Sequence, residues 1–191
     1  ICSLIKLIFF QVHSPSPDYK AIVYFWSMNE FEIHQVKEAD LLALQEISRQ
    51  TFFDTFAAVN TPADMQQYLE ENLSMQQLIK EWSNPSTTFY FVKQKEDVLA
   101  YLKINEAEAQ TEQRNEPSLE IERIYVRQSE QGKGIGQFLL DFVIQVTKVK
   151  EFNLIWLGVW EHNLKAIQFY EKNGFHFFGK HSFFLGKDEQ T

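Results

Sequence analysis

Apolar positions along the chain change period several times after residue 30, and each change marks an element. Phe31, Ile33 and Val36 suggest a short strand. From Asp40 onward Leu41, Leu44 and Ile47 recur at helical spacing, and helical character runs to about Phe56. Thr61-Pro62 places an N-capping residue before a proline at the first helical position, so one or two further helices are predicted between Asp64 and Trp82. Asn84-Pro85-Ser86 stops them. Thr88 to Lys93 and Val98 to Ile104 read as neighbouring strands across the polar turn Lys95-Glu96-Asp97.

Residues 105–118 are a polar connection, and Leu119, Ile121 and Ile124 to Val126 mark the next strand. Ile135, Phe138, Leu139, Phe142, Val143 and Val146 then fall on one helical face. Leu154 to Trp160 is almost continuously apolar, the pattern of a central strand. A helix from Asn163 to Lys172 ends at Asn173-Gly174, and Phe175 to Phe178 and Phe183 to Leu185 are two short extended pieces. This order predicts a mixed α/β (α+β) sheet with helices on its faces.

The first 28 residues do not share this regularity. Ile1 to Phe10 is apolar apart from Ser3 and Lys6, too short for a membrane-spanning helix of about 20 residues. Neither a basic run before it nor a small-residue cleavage site after it supports a signal peptide. Ser14-Pro15-Ser16-Pro17 interrupts the chain, and Ala21 to Trp26 forms a second short run. The expected organisation is an extension over residues 1–28, outside the core, and one domain over residues 29–191. An extra strand or helix packed on the domain is the competing reading.

At 191 residues one domain is the expectation, and 18 Phe and four Trp supply its core. The lone Cys2 excludes a disulfide framework and fits a reducing cytoplasm. The five His show no metal-ligand spacing, so no metal site is predicted. A net charge of −8 argues against nucleic acid and favours a cationic ligand, or simply keeps the protein soluble.

Chemistry enters with Gln131-Gly132-Lys133-Gly134-Ile135-Gly136, between a strand and a helix. Such glycines bring backbone amides close to a ligand, and the helix N-terminus behind them favours an anion. Lys133 adds a positive charge. The spacing matches neither the Walker loop nor the dinucleotide fingerprint, since Gln137 stands at the latter's third glycine. A pyrophosphate is the expected guest, unless the turn only joins strand to helix.

Gln131-x-x-Gly134-x-Gly136, preceded by Ile124-Tyr125-Val126 and followed by Asn163-x-x-Ala166-x-x-x-Tyr170-x-x-x-Gly174-Phe175, resembles the GNAT superfamily of acetyl-CoA-dependent N-acetyltransferases over roughly residues 30–191. Leu119 to Tyr125, Ile155 to Glu161, His181-Ser182-Phe183 and Thr51 to Phe56 are similar to the bacterial PaiA-type spermidine/spermine acetyltransferases. The resemblance implies a mostly antiparallel twisted sheet with helices on both faces. In that family a further strand follows the stretch seen here as Asp188 to Thr191, so the fold is expected to look one strand short, with an exposed sheet edge.

The resemblance also implies a reaction: transfer of the acetyl group of acetyl-CoA to a primary amine of a polyamine, by direct attack in a ternary complex. Tyr170 is the expected acid at the leaving sulfur and Glu122 the expected base, unless Glu122 merely pairs with Arg123 or Arg127. Ile124, Tyr125, Val126, the loop Gln131 to Gly136, Gly158, Asn163, Ala166 and Tyr170 are expected to hold the cofactor. Glu120 and Glu122, sharing a strand face, are expected to hold the polyamine. The six Glu between Glu106 and Glu122 suit a cationic substrate or form a solvated acidic loop. Another amine acceptor, or a poorly catalytic acetyl-CoA-binding regulator, are the alternatives. No nucleic-acid or membrane partner is expected, and a homodimer is compatible with the reading.

Overall fold

The structure, a computed structural model, describes residues 3–10, 26–28, 31–185 and 188–190. In chain order these form β1 (Ser3–Phe10), β2 (Trp26–Met28), β3 (Phe31–Gln35), α1 (Leu41–Phe56), α2 (Pro62–Glu71), α3 (Met75–Trp82), β4 (Thr87–Gln94) and β5 (Asp97–Glu106). There follow β6 (Ser118–Val126), α4 (Ile135–Val149), β7 (Leu154–Trp160), α5 (Leu164–Lys172), β8 (His176–Leu185) and β9 (Asp188–Gln190). The strands lie in the order β2-β3-β4-β5-β6-β7-β1-β8-β9. Neighbours are antiparallel except β6 and β7, which are parallel and joined through α4.

Both faces of the sheet centre are covered, so its strands carry consecutive buried residues instead of a strict apolar–polar alternation. On β4, Tyr90 and Val92 face the layer of α4 and α5, whereas Phe89 and Phe91 face α1 to α3. Phe138 and Phe142 of α4 are fully buried, each worth about 1.5–3 kcal/mol against exposure. Thr61 caps α2 by accepting from the Asp64 amide, and Ser74 caps α3 by accepting from the Gln77 amide.

Three expectations change. Residues 1–28 are not wholly outside the core: β1 pairs along its length with β7 and with β8. An apolar strand needs neighbours on both edges, and the gap between β7 and β8 provides them. The edge expected from a missing strand is therefore closed at that place. Finally, the two short pieces after Phe175 are one strand, β8, which continues through Gly179 opposite Lys6 of β1. Cys2, Ser14-Pro15-Ser16-Pro17 and most of the run from Ala21 lie outside the described residues.

Candidate active site

The sheet opens where the one parallel pair among the described strands ends. Pairing of β6 with β7 stops at Ile121 opposite Leu157, while β6 stays paired with β5 as far as Val126. Past that point Glu122 to Val126 and Gly158 to Trp160 part, leaving a cleft of about 660 Å³. Its walls come from both layers of the fold. One side is Ala166, Phe169 and Tyr170 of α5 with Ile135 and Gly136 of α4; the other is Thr51, Asp54 and Thr55 of α1. Ile124, Tyr125 and Val126 form the β6 wall, and Trp160 stands opposite.

The glycine loop closes one end. Gly132 and Gly134 have φ of +80° and +86°, a left-handed backbone that favours glycine. A Cβ at either would meet nothing within 4 Å, so the space before the loop is open. Gly134 is the N-cap of α4 and, unlike Thr61, Ser74 and Asn163 in α2, α3 and α5, supplies no side-chain acceptor. The first intrahelical bond of α4 runs from the Phe138 amide to the Gly134 carbonyl, and no acidic residue stands in the first turn. The earlier amides of that turn are left for a ligand. An open, uncapped, positively polarised helix start fits the diphosphate of a coenzyme A thioester. Gln131 donates to the Val126 carbonyl and ties loop to strand. Lys133 does not line the cleft; it pairs with Glu130 at 2.9 Å.

Tyr170 reaches the cleft from α5 with only 6% of its surface exposed. Its ring packs against Phe169 and Phe175, with centroids 5.2 and 5.5 Å away. Burial pushes its phenol well above the ordinary value, so it carries its proton at neutral pH. Ala166 lies one turn earlier and keeps this wall shallow. Asn163 lines the cleft, but its side-chain oxygen accepts from the Ala166 amide and caps α5. Gly158 is the first β7 residue beyond the last pair with β6 and is exposed.

Glu122 sits at the root of the split, and the register explains its surroundings. Lys103 lies opposite Arg123 and Ile104 opposite Ile121, so Glu122 is the extra residue of a β-bulge. The bulge lets consecutive side chains Glu122 and Arg123 meet on one side. Glu122 accepts from Asn105 at 2.5 Å and pairs with Lys103 at 2.6 Å and Arg123 at 3.2 Å. Arg123 also holds Glu81 of α3 with two bonds, at 2.8 and 2.9 Å, and Lys103 lies 3.0 Å from Glu81. Burial works against ionisation of Glu81, yet Arg123 and Lys103 hold it below the usual carboxylate range. Pairing of Glu122 with Arg123 is thus realised, whereas Arg127 bonds the Val98 carbonyl and Glu46.

Glu120 shares Asn105 with Glu122, as a common face requires, but is 3% exposed and accepts from the Thr111 amide and hydroxyl. Burial raises its pKa. Neither glutamate is part of the cleft wall. Nor is the acidic segment an open lining: Glu106 pairs with Lys150 and Glu108 accepts from Ser86. Of the residues expected at the site, the cleft gathers Ile124, Tyr125, Val126, Gln131, Gly132, Ile135, Gly136, Asn163, Ala166 and Tyr170. It leaves Gly134, Lys133, Gly158, Glu120 and Glu122 at its margins. Sequence reasoning assigned no role to Thr51, Asp54, Thr55 or Trp160. The signal was available in part: three polar residues at i, i+3 and i+4 share one face of α1.

A split sheet with an uncapped glycine-loop helix on one side and a protonated phenol in the gap is the architecture of an acyl-CoA-dependent transferase. The chain belongs to the acetyltransferase (GNAT) family, whose model matches residues 42–175. It is an acetyl-CoA-dependent N-acetyltransferase. A Lactobacillus delbrueckii subsp. lactis relative, an uncharacterized N-acetyltransferase in the pepI 3' region, is 42% identical over 164 residues, 86% of this chain and 95% of the relative. The spermine/spermidine N(1)-acetyltransferase of Bacillus subtilis is 33% identical over 64 residues, 33% of this chain and 42% of that protein. Among solved structures, the PaiA N-acetyltransferase of Thermoplasma acidophilum in complex with coenzyme A superposes with a TM-score of 0.65 at 23% identity. That match covers 76% of this chain and 89% of the other, and at this identity it bears on the fold alone.

Proposed function

We propose that the acceptor is a polyamine, acetylated on a primary amine by direct attack while both substrates are bound. The observation that carries the acceptor class is the similarity to the Bacillus subtilis spermine/spermidine enzyme. The cleft's walls, drawn from both layers of the fold, support a ternary complex: the coenzyme would lie against the loop and α5, and the amine would enter along α1.

When bound, acetyl-CoA supplies an acyl group activated as a thioester. The backbone of Ile124 to Val126 would hold its pantetheine arm like an added strand, and amides near Tyr125 and Val126 would stabilise negative charge at the carbonyl oxygen. Loop amides from Gln131 to Gly136 would take the diphosphate. Ala166 and Asn163 would flank the arm, and Gly158 would leave room between the parting strands. Lys133, when released from Glu130, adds charge at the loop's outer rim.

An amine with a pKa near about 10 must lose a proton before attack. Glu122, one-fifth exposed at the root of the split, accepts that proton through water, its carboxylate held by Lys103 and Asn105. Glu120 stands behind it and fixes Asn105. Tyr170 keeps a proton on its hydroxyl for the departing sulfur.

The test is thiol release from acetyl-CoA with spermidine, spermine, a lysine peptide or no amine, with products identified by mass. Turnover with the polyamines well above the peptide supports this reading. Acetyl-CoA binding without polyamine turnover overturns the acceptor assignment.

A further inference from the structure

The cleft wall contains two carboxylates, Asp54 and Glu130. Glu130 stands at the loop end and is neutralised by Lys133 at 2.9 Å. Asp54 stands on α1, on the sheet face opposite α4 and α5. Its hydrogen-bond partner is neutral: Gln50 donates to Oδ1 at 2.8 Å, and among the described residues no cation pairs with it. The glutamates at the root of the split are already satisfied, Glu122 by Lys103 and Arg123, Glu120 by Thr111 and Asn105.

The neighbours of Asp54 sharpen its role. Thr51 donates its hydroxyl to the Ile47 carbonyl and Thr55 donates to the Thr51 carbonyl, both at 2.7 Å. Their hydroxyls are thus turned back onto the helix, and Asp54 is the strong acceptor that α1 presents to the cleft. Phe56 packs beside Trp160, centroids 5.9 Å apart, and His162 meets Trp160 edge-on at 5.4 Å, so the same end has an aromatic wall. A carboxylate with no counter-cation among the described residues, lining the same cleft as an indole, suits an alkylammonium: one group supplies charge, the other a polarisable face.

We propose that Asp54 is a specificity-determining residue that holds a second, non-reacting ammonium of the acceptor, with Trp160 as its aromatic side. This rests on the acetyl-transfer reading of the cleft and selects acceptors carrying at least two positive charges. The distance from Asp54 to the reacting nitrogen is then set by the amine chain, which favours linear diamines and polyamines over simple monoamines.

The full chain, saturated with coenzyme A, is titrated calorimetrically with 1,4-diaminobutane in the wild-type, Asp54→Asn and Asp54→Glu forms. Thiol release from acetyl-CoA is measured in parallel with 1,4-diaminobutane and 1-aminobutane. Asn at this exposed helical position keeps the Gln50 bond, so folding is preserved. The expected result is a loss of about fivefold in diamine affinity in Asp54→Asn, the scale of a part-exposed ion pair, partly restored by Glu. Coenzyme A affinity should hold within about twofold, and kcat/KM should fall more for 1,4-diaminobutane than for 1-aminobutane. Equal diamine affinity in wild type and Asp54→Asn, or no diamine binding by wild type at millimolar concentration, overturns the assignment. Asp54-dependent diamine binding without thiol release leaves Asp54 standing and overturns the polyamine-acetylation reading instead.

Discussion

Replacing Tyr170 by Phe removes one oxygen and leaves the ring contacts with Phe169 and Phe175 in place. A positioned general acid contributes about 10²–10⁴-fold. Burial raises the Tyr170 pKa well above its ordinary value, so the phenol is always protonated at neutral pH but is a weak donor. The lower end of that range therefore applies. The expected loss in kcat is about 100-fold, or about 2.7 kcal/mol on the barrier. KM for acetyl-CoA should change little, because the wall keeps its shape. The assay is steady-state thiol release between pH 6 and 9, with a thermal melt to confirm that the variant folds as the wild type does. Since Tyr170 does not ionise in that range, the variant's pH profile should fall in parallel with the wild type's. A variant keeping more than half the wild-type kcat, or one whose loss resides wholly in KM, refutes the role of the hydroxyl in proton delivery.

Four further outcomes follow from the same structure. Glu81→Gln leaves buried Arg123 and Lys103 short of a counter-charge; the loss should be about 3–5 kcal/mol, read as a fall in Tm of roughly 6–20 °C, and a fall under about 2 °C would contradict a buried network. Burial raises the pKa of Tyr101, Tyr125 and Tyr170, so the folded state holds these protons more tightly than the unfolded chain; their contribution is complete below about pH 10 and is lost as pH rises beyond it, and the urea midpoint should drop there. An unchanged midpoint at pH 11 would contradict their burial. Gly134→Ala, at φ +86° with open space around its Cβ, should cost about 1–2 kcal/mol through backbone strain alone and weaken acetyl-CoA binding several-fold in calorimetry; unchanged binding would remove the loop from the cofactor site. Removing residues 1–10 should bare the facing edges of β7 and β8 and lower the soluble, monodisperse fraction in size-exclusion chromatography, whereas a monodisperse variant of unchanged Tm would show that β1 is dispensable.

Much was readable from the chain alone because it is encoded locally. The helical spacing of Leu41, Leu44 and Ile47, the Thr61-Pro62 cap and the face from Ile135 to Val146 each depend on neighbours within a few residues, and α1, α2 and α4 appear where these signals lie. The glycine loop was equally legible, since left-handed backbone at Gly132 and Gly134 is a property of those residues. Other features depend on contacts between distant segments. Nothing in Ser3 to Phe10 states that it lies between β7 and β8, because strand pairing partners are chosen by the sheet and not by the strand. Spacing placed Glu120 and Glu122 on one face, but only the bulge at Glu122 brings Arg123 beside it, and only the approach of α3 adds Glu81 to the cluster. Asp54 reads in sequence as one more polar residue on a helix. It becomes part of the site because α1 lines the gap between β6 and β7, more than sixty residues further along the chain, and leaves its carboxylate there with no counter-charge among the described residues.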